Sequence, residues 1–197
     1  MNIFNFSRLK LPVIQAPMAG GFNTPELASV VANSGGVGSF GFSFTSPEKI
    51  DETLNITKKL TSGFINANFF VFKPVKLPKK KVQEEAIQAI KNLSLNHKYE
   101  IKVPKEPFYY DLELQIEATL KNLPSIITFH LGIPSINIIK KIQALGIKVG
   151  ITATNITEAK SIENVGADFI VAQGIEAGGH RGIFDQENID EKITLDN

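Results

Sequence analysis

Apolar runs alternate with amphipathic stretches along most of the chain. Leu11 to Pro17 (LPVIQAP) is a short apolar run closed by proline and predicts a first strand. Thr24-Pro25-Glu26 supplies a hydroxyl N-cap, a proline at the first helical position and an acid in the first turn. Leu27, Val30 and Val31 give the helix that follows its apolar stripe, and Gly35 ends it. Gly36 to Phe42 is the second predicted strand. Ser46-Pro47-Glu48 repeats the capping pattern for a helix to about Leu60, and Phe64 to Phe70 (FINANFF) is the third strand. Further on, Ile126 to His130 predicts a strand. Two cleaner units follow: helix Ser135 to Leu145, Gly146, strand Val149 to Thr152; then helix Glu158 to Val165, Gly166, strand Phe169 to Ala172.

Buried apolar strands alternating with helices imply a parallel sheet wrapped by helices, either doubly wound or a (β/α)8 barrel. The barrel is preferred. Polar and glycine-rich residues stand at the C-terminal ends of several strands, in Gln15 to Gly21, at Asn68, at His130 and in Gln173 to Gly182. A barrel builds its site from many strand ends, a doubly wound sheet from one switch point. The expected fold is therefore α/β, of the (β/α)8 TIM-barrel type, incomplete here with about six of the eight strands. One domain spans 1–197. Residues 73–125 form a long helical insert over the barrel rim, with helices at Val82 to Leu93 and Asp111 to Leu123, a link through Pro104 and Pro107, and an extra strand around Ile101 and Val103. Tyr109 and Tyr110 either pack that insert or face a substrate; packing is the simpler reading.

Composition narrows the functions. The chain has 197 residues, 43% hydrophobic and 21% charged, with net charge +1, which suits a folded domain and argues against nucleic-acid or anionic-membrane surfaces. Lys79-Lys80-Lys81 reads as a solvated helix start. There is no cysteine, so disulfides, thiolate catalysis and cysteine-based zinc sites are excluded. The three histidines, His97, His130 and His180, lack metal-ligand spacing. No apolar run is long enough to span a membrane and Met1 to Lys10 is not a signal segment, so a cytoplasmic address is expected.

The chemistry-bearing stretch is Val171-Ala172-Gln173-Gly174-Ile175-Glu176-Ala177-Gly178-Gly179-His180-Arg181-Gly182. A strand runs into a turn dense in glycine, where backbone can approach a bound group and amides can face an anion. It lacks the Gly-Lys-Ser/Thr of a P-loop and the spacing of a dinucleotide fold.

Together, Gln15-Ala16-Pro17-Met18-Ala19-Gly20-Gly21 and Ala172 to Gly182, with Pro25-Glu26-Leu27-Ala28 and Ser34-Gly35-Gly36-Val37-Gly38 between them, resemble the signatures of the nitronate monooxygenases, once called 2-nitropropane dioxygenases. The resemblance runs from about Leu9 to Gly182. It implies a (β/α)8 barrel with non-covalent FMN that oxidises alkyl nitronates with dioxygen to a carbonyl compound and nitrite. It implies that Ala16, Pro17 and Met18 lie beside the isoalloxazine, that Asn68, Gln173 and Gly178 contact the flavin, and that His180 is the active-site histidine. His130 could line the same pocket and ranks below His180. Two alternatives stay open: a related NAD(P)H-dependent flavin reductase acting on enoyl or quinone substrates, and a non-catalytic remnant. The family's chains are considerably longer. The sequence alone therefore suggests a truncated or partial barrel that holds FMN poorly by itself, and that oligomerises or is completed by another chain.

Overall fold

Five short apolar segments form one parallel sheet and are joined by helices, two of which start at the predicted caps Thr24 and Ser46. The computed structural model describes residues 4–74, 77–95 and 105–185. In chain order these are α1 (Pro25–Asn33), β1 (Val37–Gly41), α2 (Pro47–Leu60), β2 (Phe64–Phe70), α3 (Lys80–Leu95), α4 (Leu112–Leu120), β3 (Ile126–His130), α5 (Ile136–Gln143), β4 (Lys148–Ala153), α6 (Ile156–Asn164) and β5 (Phe169–Ala172). Thr24, Ser46, Asp111, Ser135 and Asn155 each accept a first-turn N–H with their side chains, which satisfies an amide that the helix leaves without a partner. Gly146 and Gly166 follow α5 and α6 at φ 75° and 76°, a region open to glycine at little cost.

The strands lie in the order β1-β2-β3-β4-β5, every neighbouring pair parallel. Sequential order is the winding of a (β/α) barrel; a doubly wound sheet reverses direction at a switch point. The fold is an incomplete (β/α)8-type barrel. Alternate strand residues divide its two faces. Phe40, Ile65, Ala67, Phe69, Ile127, Phe129, Val149 and Ile151 face the helices and form the main core with Ile50, Leu54, Ile116, Ile139 and Ile162. On the opposite face, Val37 and Ile126 are closed at the strands' N-terminal ends by Phe4, with Phe64 and Phe169 beside them. Above this apolar layer the same face turns polar.

The first predicted strand is corrected. Leu11 to Pro17 runs along β1 but makes a single parallel bridge, Ile14 to Val37. Val37 N–H donates to Val13 O and Gln15 N–H to Val37 O, both at 2.9 Å. Beyond that, side chains take over the pairing. Ser39 N–H donates to Gln15 Oε1 at 3.3 Å, and Ser39 O accepts from Asn23 Nδ2 at 2.7 Å. Pro17 has no N–H to continue a ladder. The segment therefore leaves the sheet and becomes a loop across the end of β1.

The chain divides into two compact units, Met1–Phe72 with Tyr110–Asn197, and Lys73–Tyr109. Helix α4 belongs to the first, where it packs against α2. In the second, α3 carries the ion pairs Lys80–Glu84 at 3.9 Å and Lys81–Glu85 at 3.8 Å, and the Tyr109 hydroxyl donates to Lys73 O at 3.0 Å. That bond ties the two ends of the unit together. The expected strand around Ile101 and Val103, and also His97 and Pro104, lie outside the described residues.

Candidate active site at the strand ends

The polar layer of the inner face is a hydrogen-bonded row. Asn68 Nδ2 donates to Thr128 Oγ1 at 2.9 Å, Thr128 Oγ1 donates to Asn66 Oδ1 at 3.1 Å, and Asn66 Nδ2 donates to Ser39 Oγ at 3.3 Å. All four residues are buried. Buried polar groups cost free energy unless paired. The row pairs them with one another and fixes which end of each amide points where. Asn68 stands two residues before the end of β2, and the same face continues upward to Phe70.

Phe70 carries the next layer. Its ring lies 5.5 Å from His130 at the end of β3 and 5.7 Å from His180 in the glycine loop. Phe44 and Phe72 also pack against it, at 6.1 and 5.6 Å. This aromatic wall is missing from the sequence-based candidates. The signal for it lies in FINANFF, where Asn66, Asn68 and Phe70 must share a face.

After β5 the chain enters the loop with His180. His180 O is 3.0 Å from His130 Nε2 and 3.0 Å from Gln173 Nε2. Gln173 Oε1 accepts from Gly182 N–H at 2.7 Å, and Gln173 O accepts from Arg181 Nη1 at 2.6 Å. Arg181 Nη2 reaches Thr154 O at 3.3 Å. Gln173, expected to contact flavin, thus commits both ends of its amide to its own loop. The exit of the loop is held from α6. Asn155 caps the helix, and the buried Glu158 carboxylate reaches back to Thr154 N–H at 2.7 Å and Thr154 Oγ1 at 2.8 Å, and outward to Phe184 N–H at 2.7 Å. It is a capping box stretched to hold a residue beyond the loop. Burial pushes the His130 imidazole below its usual pKa. The His180 carbonyl works against that shift, and the nearby His180 ring adds to it.

Across the sheet, the Ala16–Met18 segment lies over the end of β1. A Cβ on Gly41 would stand 2.7 Å from Ala19 N and 2.9 Å from Met18 C, so glycine lets the loop descend onto the strand. Asn23, also absent from the candidates, fixes this loop by donating to Ala16 O at 2.9 Å as well as to Ser39 O. Asn68, His130, Gln173 and His180 therefore stand at or just beyond the C-terminal ends of β2, β3 and β5, and Ala16, Pro17 and Met18 at that of β1. Two cavities, of 190 and 490 Å³, lie at the opposite end of the sheet, beside Ser62–Ile65 with Ser125, and beside Phe4 with Lys148 and Asp168. Neither includes a residue of this constellation.

A family model, nitronate monooxygenase, matches residues 3–197, and so covers both loops and every strand. The chain belongs to the nitronate monooxygenase family. Nitronate monooxygenase of Paraburkholderia phytofirmans is 36% identical over 92% of this chain and 50% of its own length. That of Pseudomonas aeruginosa is 36% identical over 95% of this chain and 55% of its own length. Nitroalkane oxidase from Streptomyces ansochromogenes superposes with a TM-score of 0.82 at 27% identity, covering 91% of this chain and 51% of that one. FabK from Thermotoga maritima shares the fold, with a TM-score of 0.64 at 21% identity over 88% of this chain and 44% of its own. The chain spans about half the length of the curated relatives it matches. The family is one of oxidoreductases. Among the described residues no helix is long and apolar enough to cross a membrane.

Proposed function

We propose that this chain forms the substrate-facing part of an FMN-dependent nitronate monooxygenase, which oxidises alkyl nitronates with dioxygen to carbonyl compounds and nitrite. The observation that carries the reading is the family match across residues 3–197, which takes in a histidine loop braced by its own Gln173 and fastened to the end of β3. The residues present fit a flavin. A Cβ on Gly178 or Gly179 would meet nothing within 4 Å, so backbone amides there have room for a bound group. Gln15 Nε2 and Asn23 Oδ1, at the roots of the Ala16–Met18 loop, are a buried donor and a buried acceptor without protein partners. Ala16, Pro17, Met18, Asn68 and Gly178 would hold the ring system, with Gln173 keeping the loop in place around it. When bound, FMN supplies the redox chemistry, taking electrons from the substrate and returning them to dioxygen.

The chain's own work is placement and charge. A nitronate carries its negative charge on two oxygens. The His180 imidazole, exposed and packed edge-on to Phe70, donates a ring N–H to one of them and so fixes the position of the carbon. From a neutral nitroalkane the same imidazole would accept the α-proton. Phe44, Phe70 and Phe72 give the alkyl part an apolar wall and keep water away from the charge.

The test is which reductant the flavin accepts. In any preparation of the protein that carries flavin, anaerobic addition of propyl-2-nitronate should bleach the oxidised flavin band, and air should restore it with release of nitrite. Fast bleaching by NADH with no response to nitronate would replace this reading with a nicotinamide-dependent reductase.

A further inference from the structure

The carbonyl of His180 is where the end of β3 and the start of the glycine loop converge. His130 reaches it from the end of β3, and Gln173 from just beyond β5, each through a ring or amide nitrogen at 3.0 Å. We infer that His130 is a positioning residue, which holds the backbone of His180 in place through its Nε2–H and takes no proton from the substrate. The inference rests on the reading of His180 as the group that meets the substrate.

Three observations carry it. A carbonyl oxygen can only accept, so His130 Nε2 must carry the hydrogen, which fixes the tautomer of the neutral ring. That nitrogen is thereby committed to His180. The ring's other edge lies beside the loop itself. A Cβ on Gly182 would stand 2.6 Å from His130 Cε1, 3.0 Å from its Nδ1 and 2.8 Å from Thr152 Cγ2. Gly182 therefore stands beside the Cε1–Nδ1 edge of the ring, and a side chain there would displace it. Finally, Gln173 completes the arrangement, donating to the same carbonyl and accepting from Gly182 N–H at 2.7 Å. Both lone pairs of the His180 carbonyl and the amide two residues on are thus engaged. The backbone is held while the His180 ring stays exposed, and Phe70 touches both imidazoles. Burial disfavours the charged form of His130.

The test uses nitrogen-15 NMR of the 197-residue chain with hydrogen exchange of the loop amides. The His130 ring should show the Nε2–H tautomer, and Gly182 N–H should be protected. His130→Leu fills the space without a donor, whereas His130→Gln keeps an N–H at similar reach. Losing one net hydrogen bond should speed exchange at Gly182 roughly tenfold in His130→Leu, with His130→Gln within about threefold of wild type. In a flavin-carrying preparation, kcat should fall about as far in His130→Leu, with little change in KM, and His130→Gln should recover most of it. An Nδ1–H tautomer in the wild type overturns the assignment whether or not the variants fold. So does equal exchange in the two variants. If tautomer and exchange come out as expected but nitronate is not oxidised, the functional reading fails and the positioning role stands.

Discussion

Removing the negative charge of Glu158 should loosen the loop exit by an amount that its contacts set. Glu158 is 6% exposed, and its carboxylate accepts three hydrogen bonds, two from Thr154 and one from Phe184 N–H. Glu158→Gln preserves the shape but turns one oxygen into a donor. The variant keeps the Thr154 pair on its remaining oxygen and points an N–H at Phe184 N–H. One charge-assisted hydrogen bond is lost, worth about 1.5–3 kcal/mol, and two donors then face each other. Glu158→Ala removes all three and leaves the buried Thr154 N–H unmatched, so about 3–5 kcal/mol is expected. Urea denaturation of the 197-residue chain at neutral pH, followed by far-ultraviolet circular dichroism, measures both. Hydrogen exchange at Phe184 N–H should accelerate in each variant. A loss below about 0.5 kcal/mol in both, the scale of an ordinary surface change, would refute the claim that this carboxylate secures the loop.

Three other outcomes follow from the same geometry. Burial opposes ionisation of Asp168, but hydrogen bonds from Lys148, Val149 N–H and Gln143 outweigh it and hold the carboxyl below its usual pKa. Its contribution is therefore complete above the unfolded value of about 3.9 and is lost as pH falls through the folded value; Asp168→Asn should flatten the acid limb of stability against pH, and an unchanged limb would contradict this. Gly182→Ala should cost about 1–3 kcal/mol in urea denaturation, because its Cβ would meet the His130 ring and Thr152 closer than van der Waals contact allows; a neutral result would mean that the loop does not rest on β3 and β4. Asn68→Ala should weaken flavin binding by roughly 1–3 kcal/mol per unmatched polar group in a fluorescence titration, and unchanged affinity would remove Asn68 from the cofactor site.

Much of the scaffold is legible in the sequence, because caps and apolar runs are local signals. Thr24-Pro25 and Ser46-Pro47 set helix starts directly, and Phe64–Phe70 and Ile126–His130 have the predicted bounds. The first strand misleads for a reason that no local pattern carries. Its partners on Ser39 are the side chains of Gln15 and Asn23, which substitute for backbone. The site divides in the same way. Strand-end polar residues are legible as a set, but the direction of an amide is not. Gln173 is visible as a polar residue after a strand, whereas its turn inward to His180 and Gly182 depends on where β3 brings His130. Phe70 was within reach of the alternation in FINANFF, since Asn68 and Phe70 share a face.

The role proposed for His180 is to orient a nitronate at the strand ends. Its most direct test compares nitrite formed per flavin per second in wild type and His180→Asn, at matched flavin content and saturating propyl-2-nitronate. Losing the donor that orients the anion costs about 10² in rate through misplacement, so the variant should retain bound flavin and fall by roughly that factor. Equal nitrite production by the two proteins would contradict the claim, and so would a loss of rate that disappears once flavin content is matched.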